Sequence, residues 1–253
     1  MELNDRTVFI TGGTGGIGAA LAQAFRRAGA ATFTADLPGR GGDVDLDVTD
    51  ADACRAAIAG LDGLDVVVAN AGIGVGGLVE DIDRSGWDRS IEVNIRGVVN
   101  TVLPAYERMR QQGSGQLVLL ASLAGLAGTP LLTPYAMTKA AIVNLGASLR
   151  PEAARHGVGV TTVCPGPVET PLLDVGTATD GTSPRRYLVA SAGKPIAPEA
   201  LATQVVDAVR RDRAQVIPGR AKLLWRLSRF APNLTNREIA KGMQKELDAA
   251  AGG

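Results

Sequence analysis

Tyr135 and Lys139 are the residues of this chain best spaced for proton chemistry. They are four apart and follow Pro134, a residue suited to the first position of a helix, so both project from one face about 6 Å apart. A tyrosine hydroxyl titrates near 10 in water; acting as a base at neutral pH requires a drop of about three units, about 4 kcal/mol of extra stabilisation for the phenolate. A neighbouring ammonium in a partly dry site contributes in that direction. Ser122, which ends the apolar run 116–121, can hold a substrate oxygen and stabilise charge developing on it. Asn94 lies within an apolar helical stretch, where an amide is a poor helix former and costly to bury unless it is used. Asn94 could hold a water linking Lys139 to solvent, or it could be a buried structural amide. The plain alternative for the Tyr135 and Lys139 pair is an aromatic and a lysine on a solvated helix face.

A second group of residues can hold an anion. Residues 8–18, VFITGGTGGIG, pass from a β-forming apolar run into glycines and resume at Ala19, Ala20, Leu21, Ala24 and Phe25 with helical spacing. Glycines in such a turn allow positive φ and close approach of a ligand, and the helix that follows presents free amides to negative charge. The region reads as a pyrophosphate cradle formed by Gly12, Thr14, Gly15, Gly16, Ile17 and Gly18, with an unliganded structural turn as the alternative. The run 31–35 reads as a second strand ending in Asp36, where a carboxylate accepts hydrogen bonds from ribose hydroxyls and repels a 2′-phosphate. Asp36 therefore favours NAD over NADP, with Arg40 nearby as the opposing feature.

The remaining elements follow from pattern. The glycine-rich stretch 37–47 has no room for a full helix, and alternation of Asp43, Asp45 and Asp47 with apolar residues predicts a short strand; the glycine and distal glutamate of a calcium loop are missing. Thr49 offers an N-cap for a helix to about Gly60. Residues 65–69, DVVVA, form an apolar strand with Asn70, Ala71 and Gly72 at its C-terminal end, where ligands of open parallel sheets gather. One long helix is expected over 84–111. A fifth strand spans 116–121, a sixth spans 158–164 and closes with Pro165-Gly166 and Thr170, and a helix over 199–211 precedes a last strand at 215–217.

Composition narrows the function. The 253 residues carry 26 basic and 26 acidic side chains, which leaves no global field for nucleic acid. The first residues lack a basic segment and a long apolar core, so no signal peptide is read there, and a cytoplasmic location is expected. No apolar run reaches the roughly 20 residues of a membrane span. Cys54 and Cys164 fit no metal or redox spacing, so no metal site is expected; His156, the single histidine, reads as solvent-facing. Residues 172–195, rich in Gly, Thr, Ser and Pro, read as a mobile flap over the substrate, with Leu123, Leu126, Leu131 and Leu132 suggesting a lipophilic pocket. The extension 219–253 is different in character. Leu223, Leu224, Leu227 and Phe230 make one helical face and Lys222, Arg226 and Arg229 another, either packed on the body or a subunit, or making a peripheral membrane contact through 220–230.

Taken in order, Thr11-Gly12-x3-Gly16-Ile17-Gly18, Asp36, Asp47-Val48, Asn70-Ala71-Gly72, Asn94, Ser122, Tyr135-x3-Lys139 and Pro165-Gly166-x-Val168-x-Thr170 make the chain resemble the short-chain dehydrogenase/reductase family along nearly all its length. The resemblance implies a single α/β domain of Rossmann type, a doubly wound parallel sheet of seven strands in the order 3-2-1-4-5-6-7. It implies that Lys139 holds the nicotinamide ribose, that Asp47 and Val48 meet the adenine, and that Val168 and Thr170 meet the nicotinamide end. Dimer contacts through the helices beginning near Arg84 and Pro134, and tetramers, are further implications. The expected function is NAD-dependent interconversion of a secondary alcohol and a ketone. Two alternatives stand beside it: an NADPH-linked 3-oxoacyl (carrier protein) reductase, and an NAD(H)-binding redox scaffold without turnover. The short crossover after Asp36 and the basic C-terminal extension depart from the family pattern.

Overall fold

Buried strands here are β-branched and apolar on both faces, the pattern of a parallel sheet covered by helices on either side. In the computed structural model, which describes residues 1–174 and 181–252, these segments form a seven-stranded parallel sheet in the order β3-β2-β1-β4-β5-β6-β7. The strands are β1 Thr7–Thr11, β2 Ala31–Asp36, β3 Val44–Asp45, β4 Val66–Ala69, β5 Gly115–Leu120, β6 Val158–Val163 and β7 Gln215–Val216. The expected order and the short link between β2 and β3 are both present. Strand pleating sends Val8 and Ile10 to one face, where α1 (Gly16–Arg27) and α7 (Pro198–Arg210) bury Leu21, Phe25, Leu201 and Val205. Phe9, Val67, Leu117 and Leu119 fill the opposite face beneath α2 (Ala51–Ala59), α4 (Gly97–Gln112) and α5 (Thr133–Ala154).

Several elements differ from the sequence expectations. Asp50, not Thr49, caps α2: its carboxylate accepts from the amides of Asp52 and Ala53, while Thr49 bonds back to Asp47. The single helix expected over 84–111 is α3 (Arg84–Ile91) and α4 joined by a π-helical turn, Glu92–Arg96. His156 is half-buried and meets the Tyr106 ring edge-on at 6.5 Å. Within the expected flap, Pro171–Asp174 is a 3₁₀ turn and α6 (Pro184–Ala192) is a helix capped by Ser183; residues 175–180 lie outside the described residues. The C-terminal extension is two helices, α8 (Gly219–Phe230) and α9 (Pro232–Ala251). No helix among the described residues is long and apolar enough to cross a membrane.

Candidate active site

The glycine turn after β1 is shaped by what lies behind it. Gly12 and Gly16 adopt positive φ, 62° and 52°, and a Cβ on Gly18 would stand 2.0 Å from the Gly12 carbonyl. Asn70, at the end of β4, donates its amide to the carbonyls of Thr11 and Gly12 at 2.9 Å each, and Thr11 Oγ1 accepts from the amides of Asn70 and Ala71. The turn is thus tied to the neighbouring strand rather than left to its own flexibility. Nothing lies within 4 Å of a Cβ built on Gly15, and the first-turn amides of α1 have no helical carbonyl partner. This open cradle fits a diphosphate.

Asp36, at the end of β2, holds the other side of the turn. One carboxylate oxygen accepts from the Thr14 amide at 3.2 Å and the Thr14 hydroxyl at 2.6 Å; the other accepts from the Leu37 amide at 2.9 Å. Arg40 Nε stands 3.9 Å away on an exposed side chain. Asp36 is therefore a fixed carboxylate facing the cavity with acceptor capacity left over.

The residues with proton chemistry meet at the C-terminal ends of β4, β5 and β6. Ser122 leaves β5 in extended conformation and caps the 3₁₀ turn Leu123–Gly125, accepting from the Ala124 amide. A Cβ on Gly125 would fall 2.5 Å from the Lys139 carbonyl carbon and oxygen, so the backbone of that turn packs directly on the backbone of α5. The turn and α5 bring the Ser122 hydroxyl beside the phenol of Tyr135. Burial raises the Tyr135 pKa and the Ser122 hydrogen bond acts in the lowering direction. Lys139 is only 4% exposed, donates to the Leu120 carbonyl at 2.8 Å and stands 5.5 Å from the centre of the Tyr135 ring. Burial pushes its pKa down from 10.5 to about 8. Cys164, behind Lys139, is pushed up to about 11 by burial and stays a thiol.

Asn94 sits on the π-helical turn, fully buried. Its Oδ1 accepts from the Ile73 amide at 2.8 Å; its Nδ2 donates to the Ile73 carbonyl at 2.9 Å and to Thr138 Oγ1 at 3.1 Å. The amide therefore ties the stretch after β4 to α5 one residue before Lys139. Thr138 was not foreseen, because a threonine beside Lys139 carries no signal until the fold brings Asn94 to it.

A single cavity of about 940 Å³ connects these groups. It is lined by the glycine turn, Asp36, Asp47, Val48, Asn70, Ala71 and Gly72, and then by Ser122, Tyr135, Lys139, Pro165, Gly166, Val168 and Thr170. Thr14, Gly18 and Asn94 are absent from the lining; they act from behind, on Asp36, on the Gly12 carbonyl and on Ile73. The apolar residues Leu132, Leu173, Tyr187, Leu224 and Ile239 also line the cavity, with the charged Arg186, Glu238, Lys241, Lys245 and Glu246 of α6 and α9 among them. Glu246 of α9, buried, accepts from the Ser183 amide at 2.7 Å and pairs with the Arg186 guanidinium at 2.5 Å, fastening α9 to the start of α6. Arg186 and Tyr187 belong to the stretch 172–195 read as lying over the substrate, whereas Ile239 and Glu246 were missed: acids and leucine-like residues recur along α9, and only the fold distinguishes those facing the cavity. Among the described residues no cluster of His, Cys, Asp and Glu is arranged to hold a metal.

Comparison with known proteins adds a family. A family model described as short chain dehydrogenase matches residues 6–180. An acetoacetyl-CoA reductase of Synechocystis is 34% identical over 67% of this chain and 75% of its own length. A 2-(S)-hydroxypropyl-CoM dehydrogenase of Xanthobacter autotrophicus is 34% identical over 87% of this chain and 95% of its own. The crystal structure of a short chain dehydrogenase/reductase from Burkholderia phymatum in complex with NAD is 25% identical and superimposes with a TM-score of 0.81, covering 92% of this chain and 96% of that one.

Proposed function

Because this chain belongs to the short-chain dehydrogenase family, we propose that it is an NAD-dependent oxidoreductase that interconverts a secondary alcohol and a ketone on a lipophilic substrate. The observation that carries this reading is the meeting of the Tyr135 phenol and the Ser122 hydroxyl on the wall of the one cavity that the glycine turn and Asp36 also line. A nicotinamide dinucleotide bound there supplies the hydride acceptor or donor and, when oxidised, a positively charged ring. In the oxidative direction Tyr135 Oη takes the hydroxyl proton as hydride leaves the same carbon, and Ser122 Oγ fixes the substrate oxygen. The Lys139 ammonium favours the phenolate against the opposing effect of burial. Asn94 does not need to touch the substrate: it holds Ile73 and Thr138, and with them the wall beside Lys139.

NAD is preferred in this reading because the fixed Asp36 carboxylate suits ribose hydroxyls and opposes a 2′-phosphate. Arg40 beside it, and the likeness to an acetoacetyl-CoA reductase, favour the second reading, an NADPH-linked 3-oxoacyl reductase. Exposed Leu103 on α4 and Met137 on α5 support association into dimers or tetramers through those helices. The test is NADH formation from NAD with secondary alcohols graded from short aliphatic to long-chain and steroidal. Turnover that is lost in Tyr135→Phe while NADH still binds is expected. Turnover retained by that variant refutes the role of Tyr135, and tighter wild-type binding of NADPH than NADH refutes the NAD assignment. NADH binding with no substrate turned over would favour a redox scaffold.

A further inference from the structure

Helix α8 does not use its apolar face to pack on the body. Ala221, Leu224, Trp225 and Ser228 turn inward, whereas Phe230 is 81% exposed and Leu223 59% exposed, with Leu227 exposed beside them. At about 100° per residue, Phe230, Leu223 and Leu227 form one outward ridge. The same advance places Arg226, Lys222 and Arg229 along one flank of the ridge and Arg220 along the other. Leu234, exposed at the start of α9, continues the apolar line past Pro232. Residues 219–237 contain five basic side chains, with Arg237 the fifth, and no Asp or Glu, in a chain whose 26 cations and 26 acids balance only when these five are counted. Among the described residues none of these five is within ion-pair distance of a carboxylate.

An exposed apolar ridge flanked on both sides by unpaired cations has the arrangement of a helix lying in the plane of a membrane interface. We propose that α8 and the start of α9 dock the protein on the surface of an anionic phospholipid bilayer, Phe230, Leu223 and Leu227 entering the acyl boundary and the flanking cations meeting the headgroups. Charge selects this occupant over a second copy of the same face, because two-fold pairing would set five cations against five. The docking face and the cavity share their helices, since Leu224 of α8 and Thr235 and Ile239 of α9 line the cavity. The inference does not depend on the proposed reaction, and its test reads binding rather than turnover.

The experiment is sedimentation of the full chain with vesicles of phosphatidylcholine alone or mixed with phosphatidylserine, at low and high salt. Wild type is expected to sediment with the anionic vesicles only, and to be released by salt. At roughly fivefold in partition per cation near the surface, Arg226→Gln with Arg229→Gln is expected to lose roughly 30-fold. Phe230→Ser is expected to lose roughly tenfold or more. Melting midpoints report that these exposed substitutions leave the fold intact. Wild type that ignores anionic vesicles, or variants that bind them as wild type does, overturns the proposal. A Phe230→Ser variant that dissociates an oligomer in light scattering, while wild type ignores vesicles, assigns the ridge to a second copy instead.

Discussion

Replacing Lys139 by methionine removes a charge that the fold holds at a cost, and the cost has a pH signature. The buried ammonium titrates at about 8 instead of 10.5, a difference equivalent to about 3 kcal/mol. Below both values the lysine is protonated in folded and unfolded chains alike, and the folded state carries the full penalty. As pH rises from the folded value towards the unfolded one, the folded protein has released its proton while the unfolded chain still holds it, so stability increases. Between about pH 7.5 and about pH 10 this one group contributes about 2.5 kcal/mol of added stability. Lys139→Met loses that gain, so its unfolding free energy measured by denaturant titration should fall behind wild type by about this amount over the interval. The lost hydrogen bond to the Leu120 carbonyl adds a penalty of about 1–3 kcal/mol, and the part of it that depends on the charge of the donor is already contained in the folded-state titration at about 8. Titrating groups that do not interact with Lys139 are common to both proteins and cancel in the difference, and the comparison is best read below the range of Cys164, whose thiol titrates at about 11 with Lys139 acting to lower it. Parallel stability profiles for the two proteins would show that Lys139 is not held in a penalised state, and the argument from its burial would fail.

Gly125→Ala sets a methyl group 2.5 Å from the backbone of Lys139, where neither partner is a side chain able to swing away. It should destabilise by roughly 1–3 kcal/mol and lower turnover by moving Ser122 away from Tyr135, with NADH affinity little changed; wild-type melting and turnover would refute the contact. Asp36→Asn keeps a side-chain oxygen and the shape of the site but removes the charge. NADPH binding should rise relative to NADH by roughly tenfold or more, from the loss of a charge-assisted interaction and of repulsion against a 2′-phosphate; an unchanged ratio in competitive binding would refute the role of Asp36.

What could be read in advance was whatever follows from backbone chemistry or short-range spacing. Gly12, Gly16 and Gly18 announce a turn that only glycine tolerates, and the strand order follows from the motif series they open. Tyr135 and Lys139 fall on one helix face because their spacing fixes it. The errors lie where neighbours of similar chemistry compete or where a long-range partner decides. Thr49 and Asp50 both suit an N-cap, and the start of α2 selects the second. The π-helical turn leaves no mark in the apolar periodicity of 84–111, and the partners of Asn94 on it, Ile73 and Thr138, lie far away in the sequence. Leu223, Leu227 and Phe230 have the pattern of a packed face, and only the fold reveals that the body is met by Ala221 and Leu224. Glu246 gains its meaning from Ser183 and Arg186, some 60 positions earlier.

That last pairing bears on the order in which the molecule assembles. Helix α6 packs on α8, α9 and the Pro171–Asp174 turn rather than on the sheet, and its first turn is tied by a carboxylate 63 residues further along. The sheet, α5 and Ser122 complete their mutual contacts within the first 216 residues, whereas α6 gains its anchor only once α9 has come to rest. Local openings of low free energy should therefore concentrate in α6 and α9, and amide exchange there should outpace exchange in β4 and β5. The contacts that hold Ser122 and α5 against the sheet thus close without any residue beyond 216, whereas those that hold α6 require α9.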